Sequence, residues 1–279
     1  NLNKVVKDTR ALGRRFDYLG SKLLPISYGL GLITIGAVGV GASFENAFQD
    51  VVKTLNAPQI TLDALRQSIR NLSNEIPVSA NELSKLTSIG AQLGLPAESL
   101  MKFTDTVARL GVATNITSEE AGLVVTQFTN VMQASDKLGK KLSKGMYIER
   151  VGNTLVQLGN TTSTTEDAIM QMSRRLSGVA SVMKLTGAET LGWSASMASL
   201  GIAAQQGGSA LGRVMMKFNA FVSEGGGGLT KLAKLSGMSA KQFQKSWGED
   251  VSGTMQILLQ NLNKLSKNDL QKVLSDLGV

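Results

Sequence analysis

Histidine and cysteine are both missing from the 279 residues. Their absence removes Ser-His-Asp and Cys-His nucleophilic centres, Cys/His zinc sites, iron–sulfur clusters and disulfides. Aromatic residues are scarce at 5%, and none interleaves with the basic clusters, so stacking on exposed bases has little to build on. Charged residues make up 18%, below the roughly 25% of a typical soluble chain. There is ample apolar surface for a core, and some of it can serve other subunits. Nucleotide and calcium loops are missing too. Gly39-Val40-Gly41 lacks the third glycine of a dinucleotide fingerprint, and Ala134 stands where a Walker loop ending at Gly139-Lys140 needs its first glycine. Ser181-x-x-Lys184 has none of the companion motifs of serine acyl enzymes. No catalytic, cofactor-binding or metal-binding residue is therefore expected.

What is present is punctuation. Only four prolines occur against 30 glycines, and the glycines mark stops. Leu93-Gly94, Leu110-Gly111, Leu138-Gly139 and Leu158-Gly159 read as helix ends, because glycine tolerates the left-handed conformation that closes a helix. Ser79/Glu82, Thr117/Glu120, Ser163/Glu166, Thr186/Glu189 and Ser239/Gln242 read as helix starts. There a hydroxyl and a side chain three residues on satisfy orphan backbone N–H groups. Between stops and starts, apolar residues step by three and four: Leu100, Phe103, Val107, Leu110; Ile148, Val151, Leu155, Leu158; Ile169, Met172, Leu176, Val179, Met183; Leu211, Val214, Phe218, Phe221; Val251, Met255, Leu258, Leu262, Leu265. The fold class is all-α, an array of short, capped, mostly antiparallel helices that must pack on one another, since none is stable alone. Trp193, Trp247 and the methionines fall on apolar helix positions and read as core or subunit contact.

Four stretches follow. Residues 1–22 form an amphipathic, coiled-coil-like seam through Val5, Thr9, Leu12, Phe16 and Leu19. Residues 23–44 carry no charge; as a helix they would span roughly 33 Å, enough for a bilayer core. Gly29, Gly31, Gly36, Ala37, Gly39 and Gly41 there permit close helix packing, within a protein or in a membrane. Residues 45–224 are the main helical core. Residues 225–279 are a C-terminal helical part behind the Gly225–Gly228 run, which reads as a flexible link or hinge.

The formal net charge is +8, which suits an acidic partner. The strongest cluster, Lys137, Lys140, Lys141 and Lys144, is a candidate contact for DNA or an acidic protein; the plainer reading is a solvated turn. Carboxylates pair at helix starts, as in Glu119/Glu120, Glu166/Asp167 and Glu249/Asp250, where they complement the helix dipole rather than form an acid/base couple.

Several of these segments together resemble the core region of phage tail tape measure proteins. They are Phe44-Glu45-Asn46-Ala47 with Asp50-Val51, then Ile76-Pro77-Val78-Ser79-Ala80-x-Glu82-Leu83, and Gln92-Leu93-Gly94. Leu110-Gly111-Val112-Ala113-Thr114, Thr117-x-Glu119-Glu120-Ala121, Gly207-Gly208-Ser209-Ala210-Leu211-x-Arg213-Val214 and Gly237-Met238-Ser239-Ala240-x-x-Phe243 follow in the same order. The resemblance implies a non-enzymatic virion protein inside the tail tube or tail tip, present in the host cytoplasm during assembly. It implies a role in templating tube assembly and length, and release at infection to help genome passage through the host envelope. The implied partners are other copies of the chain, as a trimer or higher oligomer, the tail tube protein, distal tail or baseplate proteins, tail assembly chaperones, the host membrane and DNA. One continuous helix of this length would reach about 420 Å; the glycine stops mark a folded module instead, with long coils elsewhere in a larger protein. Two other readings stay open: a membrane-active, pore-forming protein working through residues 23–44, and a fragment of a cell-wall hydrolase.

Overall fold

Apolar spacings of three and four, with few β-branched runs to oppose them, give helices along the whole described chain. The computed structural model describes residues 40–136 and 139–278, and regular structure among them is helical, without strands. The helices are α1 (Val40–Thr54), α2 (Gln59–Glu75), α3 (Ala80–Gln92), α4 (Ala97–Ala113), α5 (Ser118–Met132), α6 (Lys144–Thr161), α7 (Glu166–Val182), α8 (Gly187–Ser199), α9 (Ala204–Glu224), α10 (Gly226–Leu235), α11 (Ala240–Glu249), α12 (Val251–Leu262) and α13 (Lys267–Leu277), with one 3-10 turn at Gly139–Lys141. The coiled-coil-like stretch 1–22 lies outside the described residues, as do Gly29, Gly31, Gly36, Ala37, Gly39, Lys137 and Leu138; Gly41 falls in α1. Among the described residues no helix is long and apolar enough to cross a membrane.

Helices pack almost entirely on their first and second neighbours in sequence, which lays α1 to α9 out in two rows. One row is α1, α3, α5, α7 and α9; the other is α2, α4, α6 and α8. Helices within a row are parallel. Ser99 near the start of α4 accepts from the Gly145 N–H at the start of α6 at 3.0 Å, and Gln171 early in α7 reaches Glu120 early in α5 at 3.0 Å. Adjacent helices of opposite rows are antiparallel: Thr87 of α3 meets Thr104 of α4 hydroxyl to hydroxyl at 2.8 Å. This is the quasi-one-dimensional plan of stacked helical hairpins.

Two kinds of corner alternate along the stack. At one edge, α3 and α7 close with a Schellman turn. Leu95 N–H bonds Gly90 C=O across Gly94, and Leu185 N–H bonds Ala180 C=O across Lys184. Gly94 has φ +77, and Lys184 holds the same left-handed conformation (φ 57), which costs a side chain about 1–2 kcal/mol. At the other edge the chain turns through an extended residue. Ile76, Thr114 and Thr162 each donate their N–H to the carbonyl of Leu72, Leu110 and Leu158. The next helices are then capped by Ser79, Thr117 and Thr165, at the same spacing each time.

That second corner corrects three sequence expectations. Helices α4 and α6 run past Gly111 and Gly159, which do not end them. Those glycines are needed for close approach, because a Cβ on Gly111 would strike the Ser118 hydroxyl and one on Gly159 the Glu166 carboxylate. The cap of α7 is Thr165, whose Oγ1 accepts from Ala168 N–H, rather than Ser163 paired with Glu166. Thr165→Ala should therefore cost about 1 kcal/mol in urea denaturation, and Ser163→Ala under about 0.5; the reverse order would restore the Ser163 cap. Ser79 Oγ accepts from Glu82 N–H and Thr117 Oγ1 from Glu120 N–H, while Ser239 with Gln242 closes a reciprocal capping box.

The glycine run is also a corner rather than a link. Gly225 and Gly226 have φ +76 and +68, and α10 begins at Gly226, so three of the four glycines lie in its first turn. A Cβ on Gly228 would collide with the Phe221 ring. Helices α10 to α12 then pack on one another and on α9, tied by Trp247 Nε1 to Asn219 Oδ1 (3.1 Å) and by Trp193 Nε1 of α8 to Ser252 Oγ (3.0 Å).

Candidate partner-binding site

The basic stretch between α5 and α6 is built from its backbone outward. The side-chain amide of Gln133 donates to the carbonyls of Gly139 (3.1 Å) and Leu142 (2.9 Å), closing the turn from within. Asp136, 2% exposed, sits beneath it. One carboxylate oxygen accepts from Gly139 N–H at 3.3 Å; the other accepts from the Tyr147 hydroxyl at 3.2 Å and from Gly187 N–H at 3.0 Å. Tyr147 belongs to α6 and Gly187 opens α8, so one carboxylate joins the ends of three helices. An added Cβ shows how tight the joint is. On Gly187 it would strike the Tyr147 hydroxyl; on Gly139 it would come within 2.8 Å of the Tyr147 ring.

Electrostatics keep the phenol of the joint protonated. Burial, then the neighbouring Asp136 charge and hydrogen bond, push the Tyr147 phenol far above its ordinary range, so it remains a donor. Glu189, whose carboxylate accepts from Thr186 N–H at 2.8 Å to complete the capping box of α8, is raised by burial, opposed by those Thr186 bonds. Tyr147 is fully buried, so the hydroxyl–carboxylate pair is a strut rather than an acid/base couple. Among the described residues no group of carboxylates is placed to hold a metal ion.

On this frame Lys140 and Lys141 are exposed in the 3-10 turn, and Lys144 is half-buried at the start of α6. None of the three forms an ion pair among the described residues, whereas nearby Lys102 is paired with Glu149 at 2.8 Å. Lys184 joins them, since its turn runs into Gly187 and so hangs on the same Asp136. Sequence reading found the lysines of the turn but missed Lys184, Gln133, Asp136 and Tyr147. Aspartate is common in solvated turns, so nothing local in the sequence marked Asp136 as buried.

Stacked helical hairpins, a core of apolar and small residues, and a charged turn held by one buried carboxylate make up the fold and the site. The chain belongs to the phage-related minor tail protein family, whose sequence pattern matches residues 66–278. Its role is structural, in a phage tail, and its location is virion-associated. No curated protein and no solved structure matches it.

Proposed function

We propose that the chain is the folded core module of a tail tape measure protein, which helps template tube assembly and length and leaves the tube at infection to assist genome passage. The observation that carries this reading is where the tape-measure-like segments fall. Ile76-Pro77-Val78-Ser79, Gln92-Leu93-Gly94, Leu110 to Ala121 and Gly237-Met238-Ser239 fall at corners of the helical stack, while residues 44–51 and 207–214 lie within α1 and α9, so most of what resembles the family is where the chain bends. The longest described helix, α9, has 21 residues, roughly 30 Å, so the measuring length belongs to other parts of the protein. The partners that fit are further copies of the chain, tube and distal tail proteins, and assembly chaperones.

In-frame removal of codons 66–278 from the phage gene, followed by electron microscopy of the particles, tests this. The expected result is loss of tails or tails of uncontrolled length, with infectivity abolished. Infectious particles with tails of normal length would overturn the reading.

A further inference from the structure

The row geometry sorts charge onto opposite edges of the stack. The edge holding the starts of α3, α5 and α7 carries Glu82, Glu119, Glu120, Glu166 and Asp167, with Glu75 at the end of α2 beside them. None of these six forms an ion pair among the described residues; of the basic groups toward this edge, Arg70 and Arg109 are engaged by Glu45 and Asp105, and Lys85, one turn beyond Glu82, is exposed. The opposite edge, between α5 and α8, carries Lys140, Lys141, Lys144 and Lys184, all without an ion pair. Over α4 to α7, that side carries the exposed carboxylate Glu98 and the half-exposed Glu149, which is paired with Lys102; Glu189 is held within its cap, and Asp250 marks the flank toward α12.

Two observations say the basic edge is shaped for a partner rather than merely solvated. The Asp136 joint fixes the two lysine-bearing turns relative to each other. Lys184 occupies a left-handed corner position that Gly94 and Gly237 fill in the equivalent turns. A lysine thus stands where glycine would be easier.

We infer that copies of this chain associate head to tail, the basic edge at Lys140, Lys141, Lys144 and Lys184 of one seated on the carboxylate edge at Glu82, Glu119 and Glu120 of the next. The complementary charges lie on opposite sides of one slab, so the contact is heterologous: a pair keeps one edge of each sign free, one on each copy, and a ring closes where the rotation allows. An acidic edge on the chain itself favours a second copy over nucleic acid, which the shortage of aromatics also disfavours. The inference gives an orientation to the self-association proposed above. Its test is made in solution, apart from the tail-length experiment, so either can fail alone.

Sedimentation of the whole chain should show association at about 0.05 M salt that is lost near 1 M, where the screening length is about 3 Å. Lys140→Glu/Lys141→Glu/Lys184→Glu and Glu82→Lys/Glu119→Lys/Glu120→Lys should each weaken association by more than about tenfold. Mixed together they should associate again, because one now has two acidic edges and the other two basic ones. Circular dichroism checks that both fold, and the milder Glu82→Gln/Glu119→Gln/Glu120→Gln should also associate more weakly. A wild-type chain that is monomeric at low salt, salt-insensitive association, or mixed variants that remain apart would overturn the pairing. So would a monomeric wild type that instead binds duplex DNA in a salt-dependent manner, which would give the basic edge to a polyanion.

Discussion

Asp136→Ala is expected to cost about 3–5 kcal/mol of folding stability. Its carboxylate accepts from Gly139 N–H, Tyr147 Oη and Gly187 N–H, all within a site closed to water. Removing it leaves three buried donors, each worth about 1–3 kcal/mol when unsatisfied, and these costs overlap because relaxation of the turn relieves them together. Tyr147→Phe should cost only about 1–2 kcal/mol, since Asp136 keeps both backbone donors. Asp136→Asn falls between: both carboxylate oxygens accept a backbone N–H, so Nδ2 faces one whichever way the amide lies, and the tyrosine hydroxyl can reverse its role only on the side it shares with Gly187. Urea denaturation with an unchanged slope measures all three. Hydrogen exchange should show the Gly139 and Gly187 amides losing protection in Asp136→Ala while amides in α2 keep theirs. A cost below about 1 kcal/mol would mean that the joint does not hold these helices.

The joint also shows where the sequence stopped being legible. Helix periodicity and capping are local, so the all-helical class and the caps at Ser79, Thr117 and Ser239 could be read directly. The Thr165 cap could not, because Ser163-x-x-Glu166 and Thr165 offer equally good local chemistry. The choice falls to the corner, in which Thr162 N–H and Oγ1 both return to the Leu158 carbonyl and leave Thr165 in the cap position. Gly111 and Gly159 misled for the same reason: their role is to admit a side chain from the next helix, a contact with no trace in spacing. Gly225–Gly228 looked like a link because glycine is poor inside helices, yet packing on Phe221 and the neighbouring helices outweighs a propensity cost of about 1 kcal/mol per glycine. The lysines were visible as a cluster. The segregation of charge between edges was not, because it needs the row order: residues as far apart as Glu82 and Asp167 share an edge only once α3, α5 and α7 are known to be parallel.

Phe103→Ala is expected to cost about 3–5 kcal/mol, and its partner on the facing helix should reveal how the core is built. Phe103 is fully buried in α4, where α3, α4 and α5 meet. A Cβ on Gly90 of α3 would come within 2.6 Å of its ring, and one on Gly122 of α5 within 3.1 Å. The ring therefore fills the space that two glycines vacate, which is how a chain with few aromatics makes large residues count. Gly90→Ala alone should cost about 1–3 kcal/mol by forcing the ring aside. The double substitution Gly90→Ala/Phe103→Ala should cost less than the sum, by about 1–2 kcal/mol, because the added methyl has no ring to strike and fills part of the cavity. Chemical denaturation of the four proteins in the cycle measures this coupling. Strict additivity would mean that the ring and glycine do not share the site, and that close approach of α3 to α4 rests on the Thr87–Thr104 hydroxyl contact instead.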